Sequence, residues 1–231
     1  MLDELREQVL KANLEIQASK LALFTWGNAS GLDRDKGLVV IKPSGVPYET
    51  MTAADLVVVD LSGRVVEGSL KPSSDTPTHL ELYRVFTGIA GVAHCHPTHA
   101  TMWAQARQPL PCFGTTHADH FDGTIPVTRD LSADRIAEAY ELETGRAIVD
   151  AMAGLDPLAM PAVLVASHGP FTWGRSAAEA VHHMAVLEEV ARMALGTRLL
   201  DPAAGPIAQA LLNRHYQRKH GPTRTYGQGP A

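Results

Sequence analysis

The apolar positions of the chain follow two periods, one helical and one extended. Helical spacing first occurs at residues 3–18, where the polar face is acidic. The same period returns in three later segments, which are residues 73–86, 132–152 and 176–195. The first of these opens with Ser, Asp and Thr followed by Pro, which is typical of a helix start. We therefore predict helices in these four segments.

Short apolar runs between the helical segments predict strands. Residues 27–45 have the pattern of a strand, a turn, a second strand at Leu38–Ile41 and a glycine-rich loop. Residues 55–68 contain two apolar runs around a Ser-Gly turn, which indicates a hairpin. A strand is expected at 91–96, and another runs into a loop within 162–174. Strands mixed with hairpins and helices predict a layered α/β fold with a mixed or largely antiparallel sheet.

Composition narrows the class of protein without identifying a function. The 231 residues show no repeat or linker, so we treat 1–231 as a single domain with a polar, glycine-rich tail from about residue 214. The net charge of −5 argues against nucleic-acid binding, and no apolar run reaches the ~20 residues of a membrane span. Because the N-terminus has no stretch of secretory type, we expect a cytoplasmic protein in which Cys95 and Cys112 are reduced, buried thiols.

The stretch VAHCHPTHAT, residues 92–101, is the first candidate for chemistry. If the strand continues through it, side chains alternate between faces. His94 and His96 then share one face, where both could reach one metal ion, and Cys95 points to the other. An H-x-H pair alone fits a metal site and a structural pair equally well. His99 is out of phase, and its position favours a capping or exposed role at a helix start.

Two further residues could complete a metal site. His168 follows an apolar strand directly, a common position for functional groups in α/β proteins. Asp75 precedes the predicted helix at 73–86, where it could also serve only as a helix cap. Three His and one Asp form a suitable ligand set for Zn²⁺ or a similar ion. The sequence alone does not bring these segments together.

Six motifs in a fixed order resemble the class II (metal-dependent) sugar-phosphate aldolase/epimerase family. They are FTWGNAS, IKPSGV, KPSSDTPTH, HCHPTHAT, GTTHAD and SHGPFTWG, and the resemblance extends from the N-terminal helix to YGQ at 226–228. It implies a single-domain, three-layer α/β/α fold around a mixed, largely antiparallel sheet. It also implies a divalent metal ion, Zn²⁺ in the first place and Mn²⁺ or Co²⁺ otherwise. Transferred by motif, the family's metal ligands are Asp75, His94, His96 and His168.

The resemblance also implies residues for proton transfer. Asp119 in GTTHAD and Tyr226 near the C-terminus correspond to the catalytic residues, with Thr115 and His215 in supporting positions. Without the resemblance, Asp119 would be interpreted as a turn cap and Tyr226 as a surface residue of the tail.

The resemblance also supports a phosphate pocket formed by three short segments that offer hydroxyl and backbone N–H groups, although a motif such as PSG is by itself common in turns. Lys42 would add a full positive charge. The other pocket residues are Gly27, Asn28, Ser44, Gly45, Ser73 and Ser74.

Among family members, the motifs are most similar to those of the epimerases that interconvert L-ribulose 5-phosphate and D-xylulose 5-phosphate, as in arabinose catabolism. The C4 hydrogen of such a ketose is not α to the C2 carbonyl, so simple deprotonation cannot invert C4. The C4 hydroxyl is β to the ketone, so retro-aldol cleavage of C3–C4 and addition to the other face of the aldehyde can. A metal ion would stabilise the enediolate between these two steps.

The main alternative is a class II aldolase that cleaves fuculose or rhamnulose phosphate. Those enzymes typically carry a Glu base where this chain has Asp75. A non-catalytic member, such as the adducin head domain, should have lost the metal ligands that are present here. The family implies a homotetramer with sites at subunit interfaces. His120, Asp122 and Pro97 depart from the usual pattern and could alter substrate preference.

Overall fold

The computed structural model of the chain describes residues 2–222 and residue 224. These residues form seven α-helices, which are α1 Asp3–Ala18, α2 Thr76–Val85, α3 Thr98–Gln105, α4 Thr115–Ala118, α5 Ala133–Ala151, α6 Ala177–Leu200 and α7 Gln209–His220. They also form seven strands, which are β1 Asn28–Asp33, β2 Leu38–Ile41, β3 Val57–Asp60, β4 Val65–Glu67, β5 Gly91–His94, β6 Ala162–Leu164 and β7 Pro170–Gly174. None of these helices combines the length and apolar character that a bilayer crossing requires.

The strands form one sheet in the order β4-β3-β2-β1-β5-β7-β6. All six pairings between neighbouring strands are antiparallel. The predicted layered α/β fold with a largely antiparallel sheet is therefore confirmed, and so are the β1–β2 and β3–β4 hairpins. The order of the strands in the sheet differs from their order in the chain. Strand β5 pairs with β1, although β2, β3, β4 and α2 lie between them in sequence.

Side chains of β1 alternate between two helical layers. On one face, Ser30 Oγ lies 2.7 Å from Nδ1 of His79, a buried residue of α2. On the other face, a Cβ added to Gly31 would lie only 2.8 Å from Val9 of α1. Helix α6 packs along β5 and β7 and against α1, while α5 packs on α2. The sheet thus lies between two helical layers.

Asn13 is a polar residue on the buried face of α1, and its side chain binds backbone groups of β1. Its side-chain amide nitrogen donates to the carbonyl of Ala29 at 3.0 Å, and its carbonyl accepts from the Ala29 N–H at 2.7 Å. The register of β2 against β1 ends one residue away, at the Ser30–Ile41 pair. The Asn13 amide therefore satisfies two backbone groups that no strand residue pairs on that side.

Three local predictions need correction. The strand expected at 91–96 ends at His94, because the chain turns toward Pro97, the residue that precedes α3. The segment 162–174 is not a strand and a loop but a hairpin of β6 and β7. Part of the polar tail is helical, since α7 extends to His220 and buries Leu212 and Tyr216.

Gly91 at the start of β5 provides a stability test. A Cβ at this position would lie 2.1 Å from backbone atoms of Ser176, where α6 begins. We expect Gly91→Ala to lower the free energy of unfolding by about 1–3 kcal/mol or more through overpacking.

The matched control is Gly196→Ala in α6, where an added Cβ meets no atom within 4 Å. This change should raise the free energy of unfolding by up to about 1 kcal/mol through helix propensity. Denaturant unfolding of both variants gives the comparison, and equal stabilities would contradict the packing argument.

Candidate metal centre

The structure brings His94, His96 and His168 together at the C-terminal end of the central strand β5. Their ring centroids are 4.8–4.9 Å apart in all three pairs. One nitrogen from each ring belongs to a group whose members all lie within 4.8 Å of one another. His94 is buried, His168 is half-buried and His96 is exposed, so the cluster opens to solvent at His96.

The orientation of His94 is fixed from two sides. Its Nδ1 donates a hydrogen bond to the carbonyl of Pro170 at 2.8 Å, and its ring stacks on Phe171 with centroids 4.1 Å apart. Because a carbonyl only accepts, the proton resides on Nδ1 and the lone pair on Nε2 is available as a metal ligand. The Nε2 atoms of His94 and His96 are 3.1 Å apart.

Two glycines allow the segments around these histidines to approach closely. A Cβ on Gly27 would lie 2.7 Å from Cβ of Cys95, and the φ of +80° at Gly27 also suits glycine. A Cβ on Gly169 would lie 2.8 Å from the ring of His96. As expected, Cys95 is buried, and burial raises the pKa of its thiol.

The electrostatic setting keeps the imidazoles of His96 and His168 neutral. Desolvation and the neighbouring His94 lower the pKa of His96 to about 4. Desolvation, His94 and His96 lower the pKa of His168 to about 3. Neutral imidazole is the form that binds a metal. The 3.1 Å between the Nε2 atoms of His94 and His96 also fits, because nitrogens bound to one tetrahedral Zn²⁺ at the usual bond length lie about 3.3 Å apart.

Asp75 stands beside this cluster and does not cap α2 with its side chain. Its Oδ2 accepts a hydrogen bond from the Asn28 amide at 2.7 Å. Burial acts to raise the pKa of Asp75, but His94, His79 and the Asn28 hydrogen bond together hold it below its usual value. An ionised carboxylate therefore interacts electrostatically with His94 and His168, although Asp75 lies outside the group of three closely spaced ligand atoms.

The segments with the predicted phosphate-binding residues lie side by side. The Ser73 N–H donates to the Lys42 carbonyl at 3.0 Å, and the Ser44 N–H donates to the Lys71 carbonyl at 2.9 Å. The Asn28 amide donates to Ser73 Oγ at 3.0 Å. Ser44, Gly45 and Ser74 are exposed next to these contacts. These hydrogen bonds thus join the three segments, and Asn28 and Ser73 also contact Asp75.

Lys42 is buried beneath these loops, with only 1% of its surface exposed. Its Nζ donates to the carbonyls of Val46 at 3.0 Å and Thr25 at 3.3 Å, and it lies 4.9 Å from the ring centre of Tyr48. Burial lowers the pKa of Lys42. The ammonium group is thus surrounded by carbonyl dipoles and an aromatic face.

Asp119 belongs to a second cluster, formed where α7 docks on α4. Arg218 donates to both Asp119 oxygens, at 2.7 and 3.1 Å, and His215 Nδ1 lies 3.0 Å from Oδ1. Lys219 Nζ is 3.7 Å from Oδ2. Burial acts to raise the pKa of Asp119, but the Arg218 and His215 hydrogen bonds lower it overall.

Of the residues expected around Asp119, Thr115 begins α4 and His215 contacts the carboxylate directly. Among the described residues, the hydrogen bonds and ion pairs of Asp119 lead to α7 and not to the three histidines, so this chain presents two separate clusters. Tyr226 lies outside the described residues.

The remaining residues singled out in the sequence, His99, His120 and Asp122, contact neighbouring segments. The backbone and ring of His99 both contact Glu188 of α6, with Nδ1 2.7 Å from Oε1, so this side chain is engaged at the start of α3. His120 lies against His182, and desolvation and Lys219 lower its pKa to about 4. The Asp122 N–H donates to the Ala159 carbonyl.

Sequence reasoning missed two contacts. The Tyr140 hydroxyl lies 3.2 Å from His168 Nδ1, at a position with no motif. Arg218 binds Asp119 from a segment whose composition indicates only a polar tail. The basic run RKH at 218–220 and the apolar spacing of Leu212 and Tyr216 were the available signals for a docked helix.

The family model of the class II aldolase and adducin N-terminal domain matches residues 7–195, which is most of the chain. The chain belongs to the class II aldolase and adducin N-terminal domain family. Similar solved structures include an L-fuculose 1-phosphate aldolase, which is 26% identical with a TM-score of 0.82 and is covered over 95% of its length by 93% of this chain.

Two other solved structures are similar to this chain over most of their length. The L-fuculose-1-phosphate aldolase from Thermus thermophilus is 28% identical with a TM-score of 0.66, over 88% of this chain and 98% of that one. YgbL from Escherichia coli, described as a putative aldolase/epimerase/decarboxylase, is 25% identical with a TM-score of 0.73, over 92% and 97%. Class II aldolases depend on a divalent metal, typically Zn²⁺, and the three-histidine cluster is compatible with one.

Replacing one of the clustered imidazoles tests the assignment of the metal centre. We expect His96→Asn to weaken Zn²⁺ binding by more than about 100-fold, since even loss of an outer-shell partner commonly costs 10–100-fold. His99→Asn, three residues away, is the matched control and should bind as the wild type does. Metal content after dialysis and a chelator-competition titration provide the measurement. Wild-type affinity in the His96 variant would refute its role as a ligand.

Proposed function

We propose that the protein is a metal-dependent L-ribulose-5-phosphate 4-epimerase, which interconverts this ketose with D-xylulose 5-phosphate. The observation that carries the proposal is the environment of Asp75. Its carboxylate is held by Asn28 and interacts electrostatically with His94 and His168, an arrangement suited to a metal ligand. In the resembling aldolases the same position typically carries a Glu base.

The reaction proceeds by breaking and remaking one C–C bond. Removal of the C4 hydroxyl proton drives cleavage of C3–C4, which leaves glycolaldehyde phosphate and the enediolate of dihydroxyacetone. Rotation of the aldehyde exposes its other face, and re-addition with return of the proton inverts C4. No hydrogen leaves carbon 4 in this sequence, so atoms and electrons balance without an oxidant.

The three histidines and Asp75 would hold the divalent ion. When bound, that ion supplies Lewis-acid stabilisation of negative charge on substrate oxygens. The neutral state of His96 and His168 and the ionised state of Asp75 keep this ligand set ready near neutral pH. The open side at His96 gives a substrate access to the cluster.

Asp119 is proposed as the proton acceptor on one face of the aldehyde, and Tyr226 as the group that serves the other face. The Arg218 and His215 contacts favour an ionised Asp119 carboxylate, which is the form that accepts a proton. Thr115 and His215 would orient these groups. We also infer a homotetramer in which Asp119 of one subunit serves a neighbour's metal centre, because no contact of Asp119 among the described residues leads to the three histidines.

The three loops beside Asp75 would bind the phosphate. Ser44, Ser73 and Ser74 would offer hydroxyl groups and Gly45 and Ser74 backbone N–H groups, with Gly27 and Asn28 at the start of β1 and the buried charge of Lys42 below. Firm binding of the phosphate group would keep glycolaldehyde phosphate from leaving the site. An epimerase needs this retention, whereas an aldolase must release both products.

The second candidate is a class II aldolase acting on L-fuculose 1-phosphate, favoured by the two fuculose-phosphate aldolases among the similar structures. One assay separates the candidates. Purified protein with Zn²⁺ or Mn²⁺ receives L-ribulose 5-phosphate, and in a parallel reaction L-fuculose 1-phosphate.

We expect accumulation of D-xylulose 5-phosphate in the first reaction, with no deuterium at C4 when the solvent is D₂O. Net release of dihydroxyacetone, or rapid cleavage of the fuculose phosphate alone, would replace the epimerase with an aldolase. An absence of both activities with metal bound would remove both candidates.

Replacing Asp119 tests the proton-transfer step. Asp119→Asn should lower turnover by about 100-fold or more, the usual range for loss of a general base, while metal content stays normal. Tyr226→Phe should have the same signature.

Mixing Asp119→Asn subunits with His96→Asn subunits should restore part of the activity if the two clusters work across an interface. Full activity in Asp119→Asn would exclude its catalytic role, and failure of the mixed oligomers to regain activity would count against the shared site.

A further inference from the structure

Tyr140 of α5 makes the one hydrogen bond that the described structure gives to the ring of His168. Its hydroxyl lies 3.2 Å from Nδ1, and the two ring centroids are 6.1 Å apart. The ring is held differently from that of His94, whose Nδ1 faces a backbone carbonyl and whose plane stacks on Phe171. The orientation of His168 therefore depends on a side chain.

A break in α5 places Tyr140 at this point. Ala139 has non-helical angles, with φ −162° and ψ 69°, so the helix changes course one residue before Tyr140. One bond joins the new course to a neighbouring helix, since Thr78 Oγ1 of α2 donates to the Glu141 carbonyl at 2.5 Å. Within α5, Thr144 Oγ1 donates to the Tyr140 carbonyl at 2.9 Å. Tyr140 thus stands next to the part of α5 that packs on α2.

The backbone around His168 is fixed independently of its ring. Ser167 adopts a left-handed φ of +62°, and the His168 N–H donates to the Val165 carbonyl at 3.1 Å. The Val165 N–H in turn donates to the Gly169 carbonyl at 3.0 Å. This tight turn sets where the side chain of His168 begins, but it does not set the rotation of the imidazole or its tautomer.

We propose that Tyr140 is a positioning residue for the metal centre and acts through His168. Its hydroxyl oxygen accepts the Nδ1 proton of His168, which leaves the Nε2 lone pair directed toward His94 and His96. A hydroxyl can also donate, unlike the Pro170 carbonyl opposite His94. The His168 tautomer is therefore the one that changes most readily when the partner is removed. The inference depends on the metal centre of the proposed function.

The test is metal affinity, measured on the full-length chain after removal of metal by dialysis against a chelator. Zn²⁺ dissociation constants come from competition with a chromophoric chelator, and Co²⁺ absorption reports the ligand geometry. We expect Tyr140→Phe to weaken Zn²⁺ binding by about 10–100-fold, the usual effect of losing such a partner. Tyr216→Phe on α7 is the matched control and should bind as the wild type does.

A double-mutant cycle with His168→Ala separates positioning from general destabilisation. If Tyr140 acts through His168, Tyr140→Phe should have no further effect on the weaker affinity of His168→Ala. An equal loss in both backgrounds would overturn the inference, as would wild-type affinity in Tyr140→Phe. A wild-type chain that binds no divalent metal would instead overturn the metal centre and the proposed function together.

Discussion

The candidate site depends on the register of three neighbouring strands, β1, β5 and β7. Asn28 of β1 pairs with His94 of β5, and His94 pairs with Phe171 of β7. Cross-strand partners share a face, so the amide, the imidazole and the phenyl ring form one row. The amide reaches Asp75, the ring supports His94, and the turn before β7 carries His168. A shift of one residue in either pairing would move these groups to the opposite layer.

The parts of the fold that follow from local period were predictable. The helix at 3–18 and the first two hairpins depend on spacing and turn residues alone. The convergence of His94 and His96 was also anticipated, although β5 ends at His94 and a turn, not a continuous strand, brings His96 into place. The engagement of the Asp75 carboxylate by Asn28, in place of a cap on α2, was not predictable, because Asn28 is 47 residues away in sequence.

Other parts of the site depend on tertiary docking that no short pattern encodes. Tyr140 reaches His168 only because α5 is broken at Ala139, an alanine in an otherwise helical sequence. Arg218 reaches Asp119 because Leu212 of α7 packs with Ala118 and Cys112 beside α4. The six motifs identified the family, yet the similar structures include aldolases as well as an aldolase/epimerase. Family membership therefore fixes the metal chemistry more firmly than the substrate.

The burial of Lys42 has a consequence for how this protein would recognise an anion. A surface lysine must lose water and restrict a flexible side chain when an anion arrives. Here both changes are completed during folding, since the ammonium already lies against fixed carbonyls and the Tyr48 ring. If the overlying loop binds phosphate as proposed, this fixed charge would supply part of the positive potential and would require little rearrangement of the protein.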